Sequence, residues 1–196
     1  MKYDVIIIGA GPGGIFSAYE LIKGNKDIKV AVFEAGRPLE QRKCPIDGKK
    51  IKSCINCPSC AIMNGFGGAG AFSDGKYNIT NDFGGTLYEH IGKEAALELM
   101  YYVDEINVSH GGQGTKMYST TGTSLKKTCM QNKLKLLDAS VRHLGTDKNY
   151  IVLENIYNEL RERVDFFFMT PVEKLETLAN GYRVITAKDS YECDKC

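Results

Sequence analysis

Two groups of residues in this chain have the types and spacing to do chemistry. The first is Cys44, Cys54, Cys57 and Cys60, which follow one another as C-x9-C-x2-C-x2-C. Four thiolates so spaced can complete a tetrahedral zinc site or hold an iron–sulfur cluster, and the C-x2-C-x2-C portion is closer to ferredoxin spacing than to a zinc ribbon. Cys44-Pro45 and Cys57-Pro58 would bend the chain around a metal, and Lys43, Lys49, Lys50 and Lys52 would offset the charge of a thiolate cluster. A redox-active dithiol and thiols of no chemical role are the other readings open to the group. The remaining cysteines, Cys129 on an expected helix and the C-x-x-C of Cys193 and Cys196, read as structural.

The second group is Gly9-Ala10-Gly11-Pro12-Gly13-Gly14, a G-x-G-x-x-G turn. The pattern is weak alone, but here it follows an apolar run and opens a helical one, and Glu34 stands 20 residues beyond Gly14. Each part has a physical task. Gly9 permits the tight turn, Gly11 lets the main chain approach a pyrophosphate, and Gly14 lets helix and strand pack closely. Pro12 and Gly13 open a helix whose N-terminal N–H groups favour phosphate. Glu34 can accept hydrogen bonds from both ribose hydroxyls of an adenosine, and its charge repels a 2′-phosphate, which favours FAD or NAD over NADP here.

A second glycine cluster begins at Gly65-Phe66-Gly67-Gly68-Ala69-Gly70 and extends through Gly75, Gly84 and Gly85. That density is unsuited to a packed helix or strand. No strand signal precedes it, so it reads as a loop held with its N–H groups against a flat ligand. Phe66 and Phe72 favour order, because each needs a surface to pack on.

The elements that must position these residues follow from periodicity. Residues 3–8 and 28–33 read as strands buried on both faces of a parallel sheet, with a helix over 15–22 between them, which makes a βαβ unit. From 34 to 86 the period disappears. A single helix is expected over 87–107, with Leu87, Ile91, Ala95, Leu99 and Val103 as its apolar face. Further helices are expected over 125–137 and 149–164, the latter capped by Asp147. Residues 165–169 read as a strand, and 182–187 with 191–195 as a hairpin joined at 188–190. The domain reading is therefore a first part of the binding domain over 1–86, a helical and irregular insertion over 87–147, and a return to the first domain over 148–196.

Four stretches carry a family resemblance: residues 4–14; Glu34-Ala35-Gly36-Arg37 with Arg42; Gly65-Phe66-Gly67-Gly68-Ala69-Gly70-Ala71-Phe72-Ser73-Asp74-Gly75-Lys76; and Arg142-His143-Leu144-Gly145-Thr146-Asp147. Together they resemble the FAD-binding domain of glutathione-reductase-type flavoproteins, and within these a bacterial group of FAD-dependent dehydrogenases. The resemblance implies an α/β, Rossmann-like three-layer FAD/NAD(P)-binding domain with FAD as cofactor and NAD(P)H as a candidate electron donor. It implies that Ala35 and Arg42 join the cofactor site, that Gly67, Gly68, Ala69 and Gly70 face pyrophosphate or flavin, and that Ser73 and Asp74 lie near it. It also implies that Val172 sets its backbone against the adenine and that residues 142–147 face the substrate side. Domains of this kind need a third parallel strand, an apolar strand ending in Ala-Thr-Gly and a late Gly-Asp. The last two motifs are missing, so the chain is expected to be the N-terminal fragment of a longer flavoprotein, incomplete at its C-terminus.

Composition limits the alternatives. With 43% hydrophobic and 25% charged residues the chain is globular rather than disordered. Lys and Arg number 25 against 24 Asp and Glu, a net charge of +1, so neither nucleic acid nor an acidic membrane is an expected partner. The one long apolar stretch, 5–19, is broken by glycines and a proline, so a cytoplasmic protein acting on a small molecule is expected. An FAD-dependent oxidoreductase is the leading functional reading. An NAD-binding module with a structural zinc knuckle, and a flavin-dependent RNA-modifying protein, are the alternatives. Of the three histidines, His90 and His110 read as surface or packing residues and His143 as the one placed near an anion.

Overall fold

A computed structural model describes residues 2–196. In chain order the elements are β1 (Lys2–Ile8), α1 (Pro12–Gly24), β2 (Val30–Phe33), β3 (Lys76–Ile79), α2 (Leu87–Ile91), α3 (Lys93–Asn107), β4 (Met117–Ser119), α4 (Leu125–Gln131), β5 (Ser140–His143), α5 (Thr146–Leu160), β6 (Val164–Phe167), β7 (Val172–Leu178), β8 (Gly181–Thr186) and β9 (Ser190–Lys195). The chain divides into two compact units, one of residues 2–72 with Leu153–Cys196, the other Ser73–Val152. The division falls at 72 and 152, where composition suggested 86 and 147.

The first unit is built on a six-stranded sheet in the order β6-β2-β1-β9-β8-β7. β6, β2, β1 and β9 are mutually parallel, while β9, β8 and β7 form an antiparallel meander. Beyond β1 and β2, the parallel set therefore gains β6 on one side and β9 on the other. β2 is buried along its whole length, as a strand covered on both faces must be. β1 behaves differently: only Tyr3 and Ile6 are buried, and Ile8 is 49% exposed where the strand opens into the glycine turn. Tyr3, Ile6, Ala31, Phe33, Val184 and Cys193 form the core at the sheet. Cys193 is a packing residue in it, in line with its reading as a structural cysteine. The hairpin expected around 188–190 is β8 and β9, which β7 joins on the other edge of β8.

The second unit holds the helices expected of the insertion and, in addition, a sheet that was not expected. That sheet is three-stranded and antiparallel, β3-β5-β4, formed from residues that carry no alternating pattern. The helix expected over 87–107 is two helices, broken at Gly92, whose φ of +87° is left-handed. The break shifts the phase, so the expected apolar face does not survive: Leu87, Ile91 and Leu99 are exposed, while Ala96, Asp104, Ile106 and Asn107 are buried. α4 ends at Gln131 instead of 137. There Leu134 N–H donates to Cys129 O (2.8 Å) and Lys133 N–H to Met130 O (3.0 Å), with Lys133 at φ +60°. That is a Schellman termination with lysine in the place usually taken by glycine. α5 starts at Thr146 rather than 149, so Asp147 stands within its first turn instead of capping it, still at the end where a negative charge is favoured.

Candidate functional site

The dinucleotide turn is assembled as its glycines require. β1 ends at Ile8, Gly9 turns the chain at φ +100°, and α1 begins at Pro12 behind Gly11. A Cβ on Gly14 would lie 2.0 Å from Gly9 O and 3.2 Å from Ile7 Cγ2, so only glycine lets the helix sit this close to the strand. In contrast, a Cβ on Gly11 or Gly13 would meet nothing within 4 Å. The main chain is thus bare and unobstructed at the helix start. No side chain caps that end and no acid stands in the first turn, so its N–H groups keep their partial positive charge. The open cradle fits a pyrophosphate.

Glu34 follows β2 and is 7% exposed. Its Oε2 accepts the N–H of Ala10 (2.7 Å), and its Oε1 accepts those of Gly36 (2.7 Å) and Gly65 (2.9 Å). A carboxylate offers about four lone-pair sites, so three are committed within the protein and one remains. Sequence reasoning placed Glu34 as a ribose acceptor alone. It missed that the same carboxylate ties together the first turn, the end of β2 and the second glycine loop. Ala35 and Gly36 pass so close to this loop that a Cβ on Gly36 would lie 2.2 Å from Gly65 N.

Arg42 completes the arrangement from the other side. It is 4% exposed, and its guanidinium donates to the carbonyls of Ala61 (3.0 Å), Ile62 (2.7 Å), Phe66 (2.6 Å) and Gly68 (2.8 Å). Burial pulls the guanidinium below its ordinary pKa, and the negative charge of Glu34 pushes it back. The Phe72 ring lies 4.9 Å from the guanidinium carbon. The loop so held contacts the first turn directly: Gly67 N–H donates to Ala10 O at 2.8 Å, and a Cβ on Gly68 would lie 3.3 Å from Gly11 Cα. Gly65, Gly67 and Gly68 all have positive φ. Residues 68–72, including Ala69 and Gly70, form a short 3₁₀ turn. Phe66 is fully buried against Tyr157 and Phe166, so this second cluster is an ordered loop.

Other expected site residues are placed as follows. Thr170 N–H donates to Glu34 O at 2.9 Å, which runs the segment before β7 alongside the end of β2. Val172 opens β7, packs against the core and stands at a register shift with β8. Ser73 and Asp74 belong to the second unit. There Ser73 Oγ accepts the N–H of Gly75 (3.1 Å), and Asp74 pairs with Lys76 at 2.6 Å, a contact that lowers its carboxyl pKa. In the same unit Arg142 forms a two-pronged pair with Asp104 (2.6 and 2.8 Å), so it fixes β5 to α3. His143 ends β5 and is exposed, and His110 Nδ1 shares a hydrogen bond with Ile106 O at 2.7 Å.

The cysteines come together only in part. Cys44, Cys54, Cys57 and Cys60 line one hollow of about 280 Å³ with Pro45, Ile55 and neighbouring residues. However, among the described residues no three His, Cys, Asp or Glu side chains are arranged to hold a metal ion. Cys54 is exposed and turned to its own loop, its Sγ accepting the Asn56 N–H at 3.4 Å and facing Asn56 Oδ1 at 3.6 Å. The expected metal-ligand set is therefore not formed in this arrangement. Among the described residues no helix is long and apolar enough to cross a membrane.

No protein-family model matches the chain, and no curated protein does. Solved structures do. Glycine oxidase from Geobacillus kaustophilus aligns at TM-score 0.52 and 16% identity, over 98% of this chain and 54% of that one. NikD, an unusual amino acid oxidase essential for nikkomycin biosynthesis, aligns at TM-score 0.47 and 12% identity, over 98% and 50%. L-amino acid deaminase from Proteus vulgaris aligns at 0.45 and 15%, over 98% and 46%. The chain spans about half the length of these structures. The likeness to glycine oxidase shows the fold, an α/β, Rossmann-like architecture, and this is the fold class expected from the sequence.

Proposed function

We propose that this chain forms the dinucleotide-binding part of an FAD-dependent oxidoreductase. The observation that carries this reading is a pair of glycine loops joined main chain to main chain, Gly67 N–H to Ala10 O at 2.8 Å, beside an uncapped helix start. Bare backbone at Gly11 and Gly13 leaves room for a pyrophosphate, and the start of α1 supplies the N–H groups that receive it. The remaining acceptor position of Glu34 suits a ribose hydroxyl. The second loop spends its N–H groups at residues 65–68 inside the protein, on Glu34, Arg37, Ala10 and Gly65, and so does not turn them to a ligand as expected. It does set Gly68 beside Gly11, a second surface without side chains next to the turn, which supports a ligand larger than nicotinamide such as flavin. Flavin, when bound, supplies electron transfer in either one- or two-electron steps. The sharing of a fold with an enzyme named as an oxidase agrees with that chemistry.

The test is equilibrium binding of FAD, NAD and NADP to this chain, followed by quenching of flavin fluorescence and by calorimetry. FAD is expected to bind at least about tenfold more tightly than either nicotinamide dinucleotide, a difference of about 1.4 kcal/mol. Tighter binding of NAD, or no binding of any of the three, would sink the proposal.

A further inference from the structure

Arg42 carries a role that its resemblance-based place in a cofactor site does not describe. A guanidinium has five N–H donors, and here four bonds go to main-chain carbonyls of a single loop, those of residues 61, 62, 66 and 68. Glu34 meets the same loop with opposite polarity at one point, the N–H of Gly65, and ties it to the N–H groups of Ala10 in the first turn and Gly36 after β2. The two charged groups thus grip the loop with opposite polarity, Glu34 at one donor and Arg42 at four acceptors. Between them the loop takes up three positive φ values, at Gly65, Gly67 and Gly68, which an unheld glycine segment would exchange freely with others. It ends against the first turn at Ala10 and Gly11.

We infer that Arg42 is a positioning residue: it fixes the second glycine loop against the dinucleotide turn and thereby sets dinucleotide affinity without touching the dinucleotide. The consequence for FAD rests on the functional reading above, while the fixing of the loop does not. Lysine in this place would keep the charge but could not reach four carbonyls with one compact ammonium. A residue acting by direct contact with a phosphate would behave differently, since lysine is an adequate phosphate partner there.

The experiment compares the full chain with R42K and R42M by amide hydrogen exchange without ligand, and then by FAD titration at low and high salt. Exchange over residues 61–68 is expected to rise at least about tenfold in both variants, while the amides of β1 and β2 keep their protection. FAD affinity is expected to fall by about tenfold or more in both. The salt dependence of binding should stay that of the wild type, because no phosphate contact is lost. Unchanged protection over 61–68 would overturn the inference, and so would protection lost equally across β1 and β2, which would make Arg42 a residue of global folding. Wild-type affinity in R42K with a weakened salt dependence in R42M would assign it to direct contact. If the wild type binds no FAD, the functional reading fails, and the exchange result alone still decides whether Arg42 fixes the loop.

Discussion

The two glycine segments of the first unit have similar sequences and are held in opposite ways. The turn of residues 9–14 is set by what flanks it, a strand and a helix whose packing distance only glycine permits, with Glu34 bonding its Ala10 N–H alone. The loop of residues 65–68 has no preceding strand and is fixed by two buried charges, Glu34 and Arg42, that arrive from elsewhere in the chain. The first arrangement is local and steric. The second is remote and electrostatic. A change in the first should therefore act on the fold, whereas a change in the second should act on one loop.

Gly14→Ala should produce the largest effect. Its Cβ would stand 2.0 Å from Gly9 O and 3.1 Å from Gly9 C, both backbone atoms that cannot rotate away. Forcing α1 off β1 is expected to cost about 3 kcal/mol, the upper part of the range for overpacking. Urea denaturation would read this as a lower midpoint with an unchanged slope. A loss under about 1 kcal/mol would mean that the turn is not sterically fixed and would remove the contrast with the second loop.

Glu34→Gln comes next, because Glu34 is the one side chain shared by both segments. The amide keeps one acceptor oxygen but turns a donor toward at least one of the buried N–H groups of Ala10, Gly36 and Gly65. Leaving a buried donor without a partner costs about 1–3 kcal/mol. The stability loss should come with faster amide exchange at both Ala10 and Gly65. Faster exchange at Gly65 alone would sharpen the comparison, showing that the first turn needs no help from the carboxylate. No change at either would end the view that Glu34 joins them.

What was legible in the sequence tracks this same division. Steric rules read along the chain located β1, α1, β2 and the need for glycine at 14. The βαβ unit announces itself through an unbroken apolar run, a glycine turn and a second run. The role of Arg42 had no such signal, since its partners are carbonyls of residues 19 to 26 positions away, and carbonyls carry no sequence identity. The three-stranded sheet of the second unit was invisible for a related reason. β3, β4 and β5 are four residues long or shorter, with few buried positions to set a period. Helix ends failed where left-handed residues were unexpected. Gly92 lies inside an otherwise continuous apolar spacing, and Lys133 takes the position at which a glycine would have marked the stop. The cysteine spacing suggested a ligand set, but spacing fixes neither rotamers nor the competing bond that Cys54 Sγ accepts from the Asn56 N–H.

The smallest expected effect on stability is also the one that most directly separates fold from ligand. Gly11 has φ −74°, ordinary for any residue, and a Cβ there would meet nothing within 4 Å. Gly11→Ala should therefore cost only the difference between glycine and alanine at a helix N-cap, on the order of 0.5 kcal/mol. Its methyl group nevertheless enters the open space through which a pyrophosphate would approach the start of α1. FAD affinity should fall by about tenfold or more, equal to about 1.4 kcal/mol, in a protein whose unfolding midpoint barely moves. Gly14→Ala and Gly11→Ala then form a matched pair, the same methyl group added three residues apart in one turn. Equal losses of stability in the two would mean that the space before Gly11 is structural. Unchanged FAD binding in Gly11→Ala would mean that the space belongs to no dinucleotide, leaving the turn as a packing device alone.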